Sequence, residues 1–401
     1  MADAMTNEER LNLRRHYAGP SFLREGFRPL FLGAALWAAI AVPLWISVWT
    51  GLIAYRGAFG PVAWHIHEMV FGFVAAAIGG FLLTAVPNWT GRLPVRGAPL
   101  AGLALLWLAG RIAVWFAGDI APVAAAVADL LYLFVLGAFL ANEILAGRNW
   151  RNLPVLAAGV LLIAANVLFH LPALDLADTG ETAVRLSVSV VVLLIALIGG
   201  RVVPSFTRNW FARNDGPEIA SPMTLFDRAT LLVSLVALVL WIADGDPEGT
   251  GIALTVAGVF NLIRLARWRG WHTGREPLVT VLHAGYLWLG LGLLALGASL
   301  WSGRFPPSAA LHVLTIGAMG TMILAVTTRA ILGHTGRALR AGPGTVTIYG
   351  LVTLAVMGRV AFEFVPDTLM LWLAAAGWSG GFGLFVILYG PMLFRPREDS
   401  N

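Results

Sequence analysis

The chain has 401 residues, 58% of them hydrophobic and only 12% charged, with a mean hydropathy of +0.77. Soluble domains carry about a quarter charged residues, so this composition suits a surface facing lipid. No lysine occurs, so the net charge of +5 rests on arginine, and its distribution points to membrane orientation and not to nucleic acid. Cysteine is absent, which excludes disulfides, thiolate-held metals and iron–sulfur clusters and leaves His, carboxylate, Met or backbone as metal ligands.

From the N-terminus, Met1 to Arg15 is polar, without the apolar core or small-residue cleavage site of a signal peptide. Apolar runs of membrane-crossing length then recur near 30–50, 65–88, 99–117, 121–145, 153–171, 183–203, 225–243, 250–266, 278–300, 309–331, 346–364 and 369–393. The eighth is the weakest, cut short by Arg264. Connections are short and rich in Gly, Pro, Asp and Arg, with no hinge or long linker. The pattern predicts an all-α polytopic bundle of about twelve transmembrane helices in a single membrane domain. Its parts are a cytoplasmic segment over 1–28, the bundle over 29–394 and a cytoplasmic tail over 395–401.

Arginine sets the expected orientation. Even-numbered loops carry Arg92/Arg96, Arg148/Arg151, Arg208/Arg213, Arg264/Arg267/Arg269/Arg275 and Arg337/Arg340, whereas the odd loops hold only Arg56 and Arg304. The positive-inside rule therefore predicts both termini and the even loops of a multi-pass membrane protein in the cytoplasm. Related strings also close the second, sixth and tenth spans: Pro87 to Arg92, Pro204 to Trp210 and Thr328 to Arg337. These read equally well as a three-fold internal repeat and as ordinary interfacial anchors.

Ionisable residues inside a membrane mark functional sites. On the expected topology His65, His67 and Glu68 lie at the outer end of the second span, Asn166 and His170 at that of the fifth, and His312 at that of the tenth. Arg111, Asp129, Arg185, Arg359 and Glu363 fall in the outer halves of their helices, and His16, His272, His283 and His334 on the cytoplasmic side. Any one of these has a bland explanation as an interfacial side chain or helix pair. The coincidence in depth favours a cofactor, since imidazole is the one strong metal ligand present in quantity and ligates haem iron and copper alike. Haem propionates call for arginine, and Arg111, Arg185 and Arg359 stand at the right depth. The expectation is a haem, of b type, held near the outer face by His312 and by one of His65 or His67. His170 would be free to face the iron or bind copper. His65 and His67 lie about 200° apart on a regular helix, so either His65 precedes the regular helix or the two serve different centres. His283, inside the cytoplasmic end of its span, is a candidate for a second metal or a proton path, or is structural.

Trp64 to Gly72, Gly80 to Arg92, Gly200 to Thr207, Leu282 to Trp288, His312 to Gly320 and Thr328 to Arg337 together resemble the NnrS family of the bacterial nitric oxide response. The resemblance implies a twelve-span membrane protein with haem and copper that protects against nitrosative stress, its motif histidines corresponding to His65, His67, His283, His312 and His334. A looser similarity, at the level of fold, is to the haem–copper oxidase catalytic subunit, which holds haem with histidines of its second and tenth spans. Here the sixth and seventh spans, source of copper ligands there, contain no His. The leading expectation is a haem protein binding nitric oxide or handling metal-nitrosyl species. A membrane enzyme reducing nitric oxide with electrons from a membrane donor, and a transporter, are the alternatives. No catalytic residue and no oligomeric state is assigned.

Overall fold

The computed structural model describes residues 17–219, 223–365 and 367–398, so His16 lies outside the described residues. Proline opens half of the long helices, at Pro61, Pro122, Pro247, Pro277, Pro307 and Pro343. Its fixed φ suits the first helical position, where the missing N–H had no partner to lose. Among the described residues twelve helices are long and apolar enough to cross a membrane, and no strand occurs. They are α1 Phe27–Trp49, α2 Pro61–Thr90, α3 Ala98–Trp115, α4 Pro122–Ala146, α5 Trp150–Leu174 and α6 Gly180–Phe211. After these come α7 Leu225–Ala243, α8 Pro247–Ala266, α9 Pro277–Trp301, α10 Pro307–His334, α11 Pro343–Phe364 and α12 Thr368–Phe394. Each expected span coincides with one of them.

The eighth span is, as expected, the least apolar of the twelve, and α8 ends two residues past Arg264. That residue stays inside α8, fully buried, because its Nε donates to Asp227 of α7 at 2.8 Å and its Nη1 donates both to the Ala196 carbonyl and to the Tyr286 hydroxyl. A paired guanidinium can remain where a lone one would have to leave the apolar phase.

The helices fall into two compact units. The first runs to Thr179 and takes in the chain from Val386 onward; the second is Gly180–Phe385. In the first, Arg28 at the start of α1 is 1% exposed and donates from Nη1 to the carbonyls of Leu393 and Arg395, tying α1 to the end of α12. In the second, α8 and α9 meet through glycines two helical turns apart. A Cβ at Gly251 would stand 2.8 Å from the Gly297 carbonyl oxygen, and one at Gly258 would stand 2.9 Å from that of Gly290. Lipid offers no hydrophobic drive for helices to associate, so close backbone approach of this kind supplies the van der Waals contact that holds them. Large apolar side chains such as Leu105, Ile112, Phe134, Leu232 and Val239 are exposed along the helices, as a lipid-facing surface requires.

Three helices contain a widened π turn: Glu68–Val74 in α2, Ile195–Gly199 in α6 and Val313–Gly320 in α10. These are the same three spans that close on related strings in the sequence. Two of the π turns begin directly after a histidine, His67 and His312. π turns recur at functional sites because the extra residue re-aims side chains and frees backbone carbonyls.

Candidate metal centre

In the first unit, α2, α3, α4 and α5 bring six polar side chains together in a dry interior. His67, Glu68 and Asn166 are 0% exposed, Asp129 1%, Arg111 2% and His170 4%. The placement is local chemistry. Gly110 lets α3 approach α4 so closely that a Cβ there would lie 2.9 Å from the Asp129 Cα, and the next residue, Arg111, then reaches Asp129. Gly72, inside the π turn, leaves room for Glu68: a Cβ at that position would sit 2.8 Å from the Glu68 carboxylate.

The hydrogen bonds form a closed network. Arg111 donates to Glu68 Oε2 at 2.7 Å through Nη1 and to Asp129 Oδ1 through Nη2. Glu68 Oε1 lies 3.1 Å from His67 Nδ1. His67 Nε2 faces Asp129 Oδ2 and Asn166 Oδ1, each at 3.2 Å, and His170 Nε2 lies 3.0 Å from the same Asp129 Oδ2. The Asn166 amide donates to Asp129 Oδ2 at 2.7 Å, which orients its oxygen toward His67. One nitrogen each of His67 and His170 and one oxygen of Asp129 all lie within 4.8 Å of one another, a spacing that can hold a metal ion. With both imidazoles neutral, two carboxylates and one guanidinium leave the cluster formally at −1, a charge that suits a cation. Phe59, Phe71 and Phe169 wall His67, their ring centroids 5.0, 5.1 and 5.3 Å away. Above it, in the loop before α2, burial and the Glu68 charge push the Tyr55 phenol well above its ordinary pKa, so its proton is retained.

The remaining candidates are placed differently. His65, on the opposite side of the helix start from His67, stacks on Trp45 with ring centroids 4.3 Å apart, so the two histidines do face different surroundings. In the second unit, His312 Nδ1 lies 2.7 Å from the Ser308 carbonyl oxygen. Since that oxygen only accepts, Nδ1 carries the proton and Nε2 presents its lone pair. Arg359 donates to the Ser308 hydroxyl at 2.6 Å and to Glu363 at 2.7 Å, so one serine anchors both the histidine and the arginine. Arg185 pairs with Glu181 at 2.9 Å and with Asp244, and Arg111 with the two carboxylates above. His283 Nε2 lies 2.8 Å from Thr207 Oγ1, whose proton goes to the Val203 carbonyl. His283 therefore donates through Nε2.

Sequence reasoning put Glu68, Asp129 and Asn166 at the right depth but did not single them out as parts of a site. The signal was available for Asp129: an intramembrane carboxylate needs partners, and Arg111, His67 and His170 were the polar groups at its depth.

A protein crossing the membrane many times, with imidazoles and carboxylates paired inside the bundle, is the class that fold and site define. The profile described as NnrS protein matches residues 21–397, nearly the whole chain, and the chain belongs to that family. No curated protein matches it.

Proposed function

We propose that this chain is a haem-binding protein of the bacterial inner membrane that serves the nitric oxide response by binding nitric oxide, or handling metal-nitrosyl species, near the periplasmic face. Family membership supports the setting. The observation that carries the haem is His312: its Nδ1 proton is fixed on the Ser308 carbonyl, leaving a neutral imidazole with an open Nε2, the form in which histidine ligates iron. Arg359, anchored on the same serine, has a buried Nε with no hydrogen-bond partner and is the donor we assign to a propionate. The donor set therefore fits haem, and haem iron supplies the coordination position that nitric oxide takes. Arg111 and Arg185 each serve two carboxylates, whereas Arg359 serves Glu363 alone, which favours Arg359 over them.

The test is an optical spectrum of purified protein, with metal analysis of the same preparation for the copper that the resemblance implies. A Soret band is expected, lost in His312→Ala at matched protein and retained in His283→Ala, whose imidazole serves Thr207. Full haem retention in His312→Ala removes the proposal, and absence of any Soret band returns the transporter reading to the front.

A further inference from the structure

We infer that His67, Asp129 and His170 form a non-haem ferrous site with an open coordination position for a small neutral diatomic ligand, separate from the haem proposed at His312. The inference rests on the proposed function only for the choice of nitric oxide as probe; metal content tests it independently.

Both ring nitrogens of His67 face acceptors: Glu68 Oε1 at Nδ1, and Asp129 Oδ2 with Asn166 Oδ1 at Nε2. A neutral imidazole has one N–H. With Nδ1 donating to the Glu68 carboxylate, Nε2 is a lone pair set against two oxygens, an arrangement that costs free energy in a dry interior. A cation between Nε2 and Asp129 Oδ2 turns this repulsion into coordination. The carboxylate then orients the ligating histidine through its other nitrogen, as partners of metal-bound imidazoles do.

Ligand atoms about 2.1 Å from an ion and at right angles about it lie about 3 Å apart. Asp129 Oδ2 stands 3.2 Å from His67 Nε2 and 3.0 Å from His170 Nε2. Arg111 holds the other Asp129 oxygen, so the carboxylate offers Oδ2 alone.

The chemistry of the donors selects the ion. Two imidazoles and one carboxylate with positions left open are the ligand set of non-haem ferrous iron. No thiolate joins them to favour cuprous copper, and the set is too nitrogen-rich for magnesium or calcium. A catalytic zinc needs a base beside its water, but Glu68 is engaged with His67 and Arg111. The phenyl rings of Phe59 and Phe169 against the histidines give the open position apolar walls, suited to a neutral diatomic and not to an anion.

The full-length protein in detergent is stripped by chelator, loaded anaerobically with ferrous iron and desalted. Total iron minus haem iron is then measured, and an EPR spectrum is taken after addition of nitric oxide. One non-haem iron per chain is expected, together with the high-spin ferrous-nitrosyl signal, which is distinct from the low-spin signal of a haem nitrosyl. Both should be lost in His170→Ala, which removes a side chain whose polar contact in the cluster is Asp129 alone, and in the isosteric Asp129→Asn, while His272→Ala keeps both. Size-exclusion profiles and the Soret band separate loss of the site from loss of fold. Retention of no non-haem iron by the unmodified protein overturns the site. So does iron unaffected by both triad substitutions, or preferential retention of zinc or copper. Bound iron that gives no nitrosyl signal overturns the open position. Loss of the Soret band with the non-haem signal intact fails the haem reading alone.

Discussion

Removing the Arg111 guanidinium would leave Glu68 and Asp129 as like charges in an interior where both are at most 1% exposed. Breaking a buried ion pair from one side costs about 3–5 kcal/mol, because an uncompensated charge remains in low dielectric. Arg111→Met is therefore expected to lower the thermal midpoint sharply in detergent, and adding Glu68→Gln to restore part of the loss. Equal melting of Arg111→Met and the unmodified protein would show that the network is not held together by this arginine. The pairing also explains what could be read in advance. That Arg111, Asp129, His67 and His170 share a depth follows from counting along the helices, but that one arginine bridges two carboxylates depends on side-chain reach between α2, α3 and α4.

At the scale of elements, glycine spacing decides how closely helices pack. Gly258 faces the backbone of α9, where a Cβ would lie 2.9 Å from the Gly290 carbonyl oxygen, and a backbone oxygen cannot swing aside as a long side chain can. Overpacking typically costs about 1–3 kcal/mol, so Gly258→Leu should destabilise the second unit toward the upper end of that range. Gly350→Leu, on α11 where nothing lies within 4 Å, should melt like the parent. Matching curves for the two variants would refute the packing argument. The π turns after His67 and His312 belong to this scale too. Their glycines, Gly72, Gly317 and Gly320, are visible in the sequence, but hydropathy reports only that a segment is apolar and cannot distinguish an α turn from a π turn.

At the scale of the whole molecule, arginine placement predicts orientation. Reporter fusions after Gly147, Gly216, Gly270 and Gly342 should read cytoplasmic, and those near Asp175 and Asp246 periplasmic. A periplasmic signal at two or more of the Arg-rich loops would invert the assignment, and the outer layer of histidines with it. The three most enclosed spans besides α9 are α2, α6 and α10, with 72%, 61% and 67% of their apolar windows buried against 61% for α9 and at most 44% elsewhere. Those three are also the helices that carry π turns and close on related strings, which gives the four-helix spacing in the sequence a structural counterpart.

The sequence by itself determined the twelve helices, because a backbone in lipid must satisfy its own hydrogen bonds and so needs an apolar run of fixed length for each crossing. It also determined the family, through strings such as Trp64 to Arg92. Only the tertiary structure decided that Arg264 stays inside α8, since its cost depends on Asp227 of a neighbouring helix. It alone decided that His67 joins Asp129 and His170 while His65 stacks on Trp45. Periodicity sets where a side chain starts on its own helix, but a site needs groups from several helices to meet, and that meeting is fixed by packing between segments far apart in the chain.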